Sequence, residues 1–302
     1  MGTPDFAVPT LQELGAARHE ICGVVTIPDK PAGRGRKLSE SPVKLAAQEL
    51  NIPILQPEKL KDPDFQRKLA DWNADLFVVV AFRMLPESVW KMPPRGTVNL
   101  HASLLPDYRG AAPINHSIIN GETETGATTF FIEKEIDTGQ ILLQYKTPIP
   151  ADWNAGALHD HLSIAGAKLV VQTVDALEAG KLKAVQQEEQ KAIHTAPKIF
   201  REHCKIDFTQ PRLSLHNLVR GLSPYPAAWC LDQEKILKIY RTEMDSLRSE
   251  KPNPGKVIQE QGKIWVSASD GWLEILELQA EGRKRLDAKS FLLGQSLSET
   301  LA

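Results

Sequence analysis

Asn99, His101 and Asp137 are the residues whose types and spacing best suit chemistry. Gly96-Thr97-Val98-Asn99-Leu100-His101 reads as a strand. Residues two apart in a strand face the same way, so the amide and the imidazole project together. The strand stops before Pro106, because proline has no N–H to continue a ladder. Asp137 stands in Ile136-Asp137-Thr138-Gly139, a loop between strands expected at 127–132 and 141–149. An amide, an imidazole and a carboxylate converging on one spot suit a reaction that moves a proton and stabilises an oxyanion. Taken alone, the residues leave a plainer reading open. Asn99 would cap a turn, His101 would be a satisfied half-buried histidine, and Asp-Thr-Gly would be simply a turn, since turns use Asp and Gly.

The elements that must position these residues follow from the hydrophobic pattern. Ala74 to Phe82 is the most continuous β run, of a kind buried on both faces in a parallel sheet. Ile21 to Thr26 and 52–55 read as further strands, with helices starting at Thr3, at Ser41-Pro42 and over 65–72. Strands alternating with helices through residue 100 predict a doubly wound α/β domain. Ligands in such sheets bind outside the carboxyl ends of the strands, where Phe82 to Pro86 and His101 to Pro106 both fall. A helix over 113–120 and a long one from Leu158 to Leu177 complete this part. Residues 183–204 read as a polar linker. Beyond it, a helix through Leu215, Val219 and Leu222 precedes short strands at 235–241, 256–260, 263–268 and 272–278, with an Asp270-Gly271 hairpin signal. That spacing predicts a small β-barrel. The expected domains are 1–182, a linker over 183–204, and 205–302.

A chain of 302 residues has the length for two domains with a core in each. Its 42% hydrophobic and 25% charged residues are ordinary for a soluble globular protein. No apolar run approaches the roughly 20 residues of a membrane helix, and the first residues do not resemble a signal peptide. Cys22, Cys204 and Cys230 are scattered, which indicates neither a disulfide framework nor a zinc site. A cytoplasmic location is expected. The net charge of −2 argues against indiscriminate coating of nucleic acid. Nor is either part strongly basic, with 22 basic and 25 acidic residues through 204, and 14 and 13 beyond it. Any nucleic-acid contact must come from a local patch. The clearest is Lys30, Arg34, Arg36 and Lys37, in a glycine-containing loop that has neither G-x-G-x-x-G nor the full phosphate-loop form. Such a loop is by default solvated, and it suits meeting phosphates from outside.

NLHASLLPDYRGAAPIN followed by ETGATTFFIEKEIDTGQIL resembles the signature of the formyltransferases that use 10-formyltetrahydrofolate. MGTPDFAVP (1–9), PDKPAGRGRKLSESPVK (28–44), VVVAFRMLP (78–86) and RGLSPYPAAW (220–229) extend the resemblance, in order, over most of the chain. It implies a Rossmann-like N-terminal domain and a smaller OB-like β-barrel that helps hold tRNA. The implied reaction moves a formyl group from 10-formyltetrahydrofolate to the α-amine of initiator methionyl-tRNA, without a metal. Asn99 and protonated His101 would stabilise the oxyanion, and Asp137 would orient His101 and help carry the amine proton away. Ser103, Leu104, Leu105 and Pro106 would bind the folate, while Arg34, Arg36 and Lys37 would reach the tRNA acceptor end. A monomer that does not engage membranes is expected.

Two departures from the family pattern stand out. Phe82-Arg83 replaces a common Tyr-Gly, and the arginine is expected to restrict that loop. An apolar strand that precedes the first motif in the family, near the middle of the sheet, is missing. A start assigned downstream of it, or a shortened chain, is the reading; a fold without its central strand is the alternative. Two alternative readings on the same scaffold are formyl transfer to a small amine and RNA binding without catalysis.

Overall fold

The strand that carries Asn99 and His101 forms where its sequence predicts. The computed structural model describes residues 1–32, 37–245, 248 and 253–302, and Thr97–His101 is extended within it. The chain packs as two units. One comprises residues 1–110, 125–147 and 159–195; the other comprises 111–124, 148–158 and 196–302. Packing thus groups 111–124 and 148–158 with the C-terminal unit, and most of the expected linker with the N-terminal one.

Strands of the N-terminal unit are β1 (Val24–Val25), β2 (Ile54–Leu55), β3 (Phe77–Val80), β4 (Thr97–His101), β5 (Glu124–Phe131) and β6 (Ile141–Pro148). β3 lies parallel to β4 and β4 antiparallel to β5, with β6 outermost. The helices are α1 (Val8–Ala16), α2 (Pro42–Glu49), α3 (Pro63–Ala70) and α4 (Ala155–Glu178). Proline opens both α2 and α3, where its missing N–H costs nothing. The Ser41 and Asp62 side chains cap them, accepting from the Lys44 and Asp64 N–H groups at 3.1 and 2.9 Å. Phe65 and Leu69, one turn apart on α3, join Val25, Phe77, Val79 and Val89 in one core. α4 covers the opposite face. A Cβ at Gly166 would lie 2.8 Å from the Leu100 side chain, and the Thr129 and Thr173 hydroxyls meet at 2.8 Å. The helix thus takes the Leu100 and Thr129 face and leaves the Asn99 and His101 face to the site.

β1 pairs with β2, in parallel, as a separate two-stranded sheet. Among the described residues, Met1 and Gly2 link β1 to β3. Gly2 N–H donates to Val25 O at 3.1 Å, Val80 N–H donates to Met1 O at 2.9 Å, and the Met1 amino group donates to Val78 O at 2.7 Å. Beside them lies a cavity of about 550 Å³ bordered by Leu14, Ile21, Cys22, Trp72 and Leu76. The strand expected over 21–26 is therefore confined to Val24–Val25, since Ile21 to Gly23 face space where a ladder would need another backbone. Burial pushes the Met1 amine down to about 5. Thr3 does not cap a helix as expected. Gly2 is drawn into the sheet, a 3-10 turn spans Asp5–Ala7, and the Thr3 hydroxyl is buried without a partner.

The C-terminal unit has helix α5 (Arg212–Leu222) and strands β7 (Ala228–Asp232), β8 (Lys235–Met244), β9 (Val257–Glu260), β10 (Lys263–Ala268) and β11 (Gly271–Ala280). They form an antiparallel sheet in the order β7-β8-β11-β10-β9. Its outer strands are joined through the chain end, where Leu301 bridges Asp232 and Thr300 bridges Lys256. Ala302 N–H donates to Leu231 O at 2.9 Å, Leu301 N–H to Gly255 O at 2.8 Å, and Val257 N–H to Glu299 O at 2.8 Å. This closure is compatible with the expected barrel. Leu215, Val219 and Leu222 of α5 share its core with Leu237, Ile239, Ile264 and Ile275. Among the described residues no helix is long and apolar enough to cross a membrane.

Candidate active site

In β4, Asn99 lies in register between Val79 and Phe130, and His101 opposite Thr128, so all these side chains share one face. His101 is 6% exposed, with its ring edge-on to Phe130. His101 Nε2 lies 2.8 Å from Tyr108 O; a carbonyl only accepts, so Nε2 carries a proton. Nδ1 then faces Asp137 Oδ2 at 3.7 Å, where a second proton would meet a carboxylate. Asp137 Oδ2 also accepts the Gly110 N–H at 3.0 Å. The Asn99 amide has no hydrogen-bond partner among the described residues. The chain thus brings together an imidazole facing a carboxylate and an amide donor on the imidazole's strand face, a set that can stabilise negative charge and manage a proton.

Residues 103–106 form a turn immediately after the strand. Thr128 Oγ1 accepts from Leu105 N–H at 3.1 Å and donates to Ser103 O at 2.6 Å. Gln144 Nε2 donates to Leu105 O at 2.9 Å, and the Ser103 hydroxyl donates to Asp107 O at 2.7 Å. The Asp137 loop is as tightly specified. Asp137 has φ +57°, a left-handed conformation disfavoured for a side-chain-bearing residue. Gly139 has no room for a side chain, since a Cβ there would lie 1.7 Å from Phe131 O.

Residues 1–174 match the formyl transferase family and residues 198–296 its C-terminal domain. The chain is 49% identical to the methionyl-tRNA formyltransferase of Bacteroides thetaiotaomicron over 99% of its own length and 95% of the relative's. It is 48% identical to that of Flavobacterium psychrophilum, over 99% and 96%. The chain belongs to the formyl transferase family. Its fold is shared with a sugar 3N-formyl transferase crystallised with dTDP and 5-N-formyl-THF, at TM-score 0.69 and 20% identity over 94% of this chain and 97% of that one.

The other expected site residues of this formyl transferase fall as follows. Ser103 and Leu105 are buried, while Leu104 and Pro106 are half-buried in the turn beside His101. Arg34 and Arg36 lie outside the described residues; Lys37 starts a short strand whose backbone pairs with Ala32. Arg83 does restrict its loop, donating to Glu58 O at 2.9 Å and Pro57 O at 2.7 Å, and burial pushes its guanidinium below the usual range. Sequence reasoning missed Tyr108 and Gly110, whose backbone groups hold His101 and Asp137. It also missed Arg109 and Gln187, whose side chains tie that backbone to the Asp137 loop. Arg109 was within reach, since it sits inside the quoted motif between those two residues. Gln187, in a polar stretch 50 residues beyond Asp137, carried no signal.

Proposed function

We propose that this formyl transferase moves the formyl group of 10-formyltetrahydrofolate onto the α-amine of methionine carried by initiator tRNA. The observation that carries the reading is the Asn99 amide, without a partner among the described residues, on the strand face of His101, which faces Asp137. The 49% identity to a methionyl-tRNA formyltransferase over nearly its whole length supports the choice of acceptor. In this reading the amine adds to the formyl carbon and the carbon–nitrogen bond to the folate breaks. Asn99 Nδ2 and a protonated His101 donate to the formyl oxygen as negative charge builds on it. Removal of one such donor costs on the order of 3–4 kcal/mol in a well-formed site. Asp137 holds His101 and helps pass the proton lost by the amine toward the folate nitrogen that leaves.

The turn of Ser103, Leu104, Leu105 and Pro106 seats the folate, and its backbone, fixed by Thr128 and Gln144, suits a rigid binding edge. Arg34, Arg36 and Lys37 meet the acceptor end of the tRNA. Phosphate contacts of this kind position a substrate without specifying it, so discrimination of initiator tRNA needs further contacts. We assign catalysis to residues 1–182 and tRNA holding to 205–302, and the protein to the cytoplasm as a monomer.

The test is formyl transfer from 10-formyltetrahydrofolate to charged initiator tRNA, with charged elongator tRNA, amino sugars and glycinamide ribonucleotide as competing acceptors. Initiator methionyl-tRNA is expected to be the preferred acceptor. Preference for a small amine would replace the acceptor, and tRNA binding without transfer to any acceptor would remove the enzymatic reading.

A further inference from the structure

We propose that Gln187 is a positioning residue for the His101–Asp137 pair, holding the two loops that set their separation. The inference rests on the catalytic reading above and deepens it. Gln187 is 5% exposed, and every hydrogen-bonding position of its amide is used. Its Nε2 donates to Asp137 O at 2.9 Å and Gly139 O at 2.8 Å. Its Oε1 accepts from Arg109 Nε at 3.0 Å and Nη2 at 2.6 Å. Arg109 is oriented in turn by Glu189, through Nη1 at 2.9 Å and Nη2 at 2.8 Å. The neighbours of Arg109 along the chain are the two groups that hold the catalytic side chains: Tyr108 O accepts from His101 Nε2, and Gly110 N–H donates to Asp137 Oδ2. One buried amide therefore closes a ring running from His101 through Tyr108, Arg109 and Gly110 to Asp137, and back through Gln187.

Backbone strain marks the same two loops. Tyr108 and Asp137 both have positive φ, +59° and +57°. Non-glycine residues persist in such conformations only where the surroundings over-determine them, and Gln187 contacts both loops. Its own placement is firm, because Val185, two residues earlier, exchanges paired backbone hydrogen bonds with Ile141 at 2.8 Å each. Loss of the Gln187 amide leaves the carbonyls of Asp137 and Gly139 and the guanidinium of Arg109 without this shared partner. The Asp137 carboxylate is then released from a fixed distance to Nδ1 of His101.

Two variants test this. Gln187→Ala removes both halves of the amide. Gln187→Glu keeps an acceptor for Arg109 but has no N–H for the two carbonyls. Both are expected to lower kcat by about tenfold to a hundredfold, with KM for the folate donor within about threefold of wild type, because orientation rather than binding is lost. A second readout needs no turnover: the imidazole ¹⁵N resonances of His101 in the free protein at fixed pH. They are expected to move in both variants, measured at a temperature where each is fully folded, since loss of the buried amide also lowers the melting temperature. Unchanged His101 resonances, or a kcat that returns to the wild-type value once corrected for the folded fraction, overturn the proposal. If wild type transfers no formyl group and the resonances still move, the catalytic reading fails while the positioning of His101 stands.

Discussion

Gln187 makes four hydrogen bonds to the loops beside His101 and Asp137, whereas Met1 and Gly2 hold β1 and β3 together with three. The two regions belong to the same unit and differ in what fixes them. At the carboxyl end of β4, buried side chains cross-tie short loops from distant parts of the sequence. Between β1 and β3, Met1 and Gly2 make backbone hydrogen bonds to both, and a cavity of about 550 Å³ lies alongside. Damage to the polar ring should reduce the rate of the folded enzyme, and changes in the sheet interior should reduce stability with that rate held.

The chain's other end supplies a matching contrast. Residues 299–302 also stand between two outer strands, but they pair along both and bury Leu301 to 3% exposure. The largest expected effect separating the ends is pH-dependent. With a free amine at Met1, the folded protein takes up the proton only below about 5, whereas the unfolded chain does so below 8.0. Between those values the unfolded state binds more protons, so stability rises with pH, by up to about 4 kcal/mol over the full window. Denaturant unfolding at the two limits, beside the Nα-acetylated chain, measures it. The acetylated chain should lack this slope, and equal slopes would show that the amine is not buried. A smaller effect is expected at the closed end. Leu301→Ala should destabilise the C-terminal unit by about 2–4 kcal/mol, with kcat of the remaining folded enzyme held. A change under about 1 kcal/mol would mean that the tail adds little to the sheet it joins.

Legibility in the sequence follows the same division. Thr97–His101 and Lys263–Ala268 form where local periodicity places them, because each has neighbours on both sides. Ile21–Thr26 has the composition of a buried strand yet is extended only at Val24–Val25, since pairing depends on a backbone that composition does not reveal. Ala228–Asp232 carries little strand signal, with Pro224 and Pro226 just before it marking a turn and only five residues of strand following. At the site, Asn99, His101 and Asp137 were visible as residue types, and the strand register explains the first two. The closing of the Asp137 loop was not visible. It depends on Gln187, a polar residue in an apparent linker whose burial comes entirely from tertiary contacts.

We propose that a His101–Asp137 pair beside Asn99 performs formyl transfer. Asp137→Asn tests it most directly, because an amide oxygen still accepts the Gly110 N–H while the charge facing His101 is removed. Measured with 10-formyltetrahydrofolate and charged initiator tRNA, kcat is expected to fall by about a hundredfold to a thousandfold, with the melting temperature nearly unchanged. A rate within about threefold of wild type would contradict the account, since that is under 1 kcal/mol of barrier.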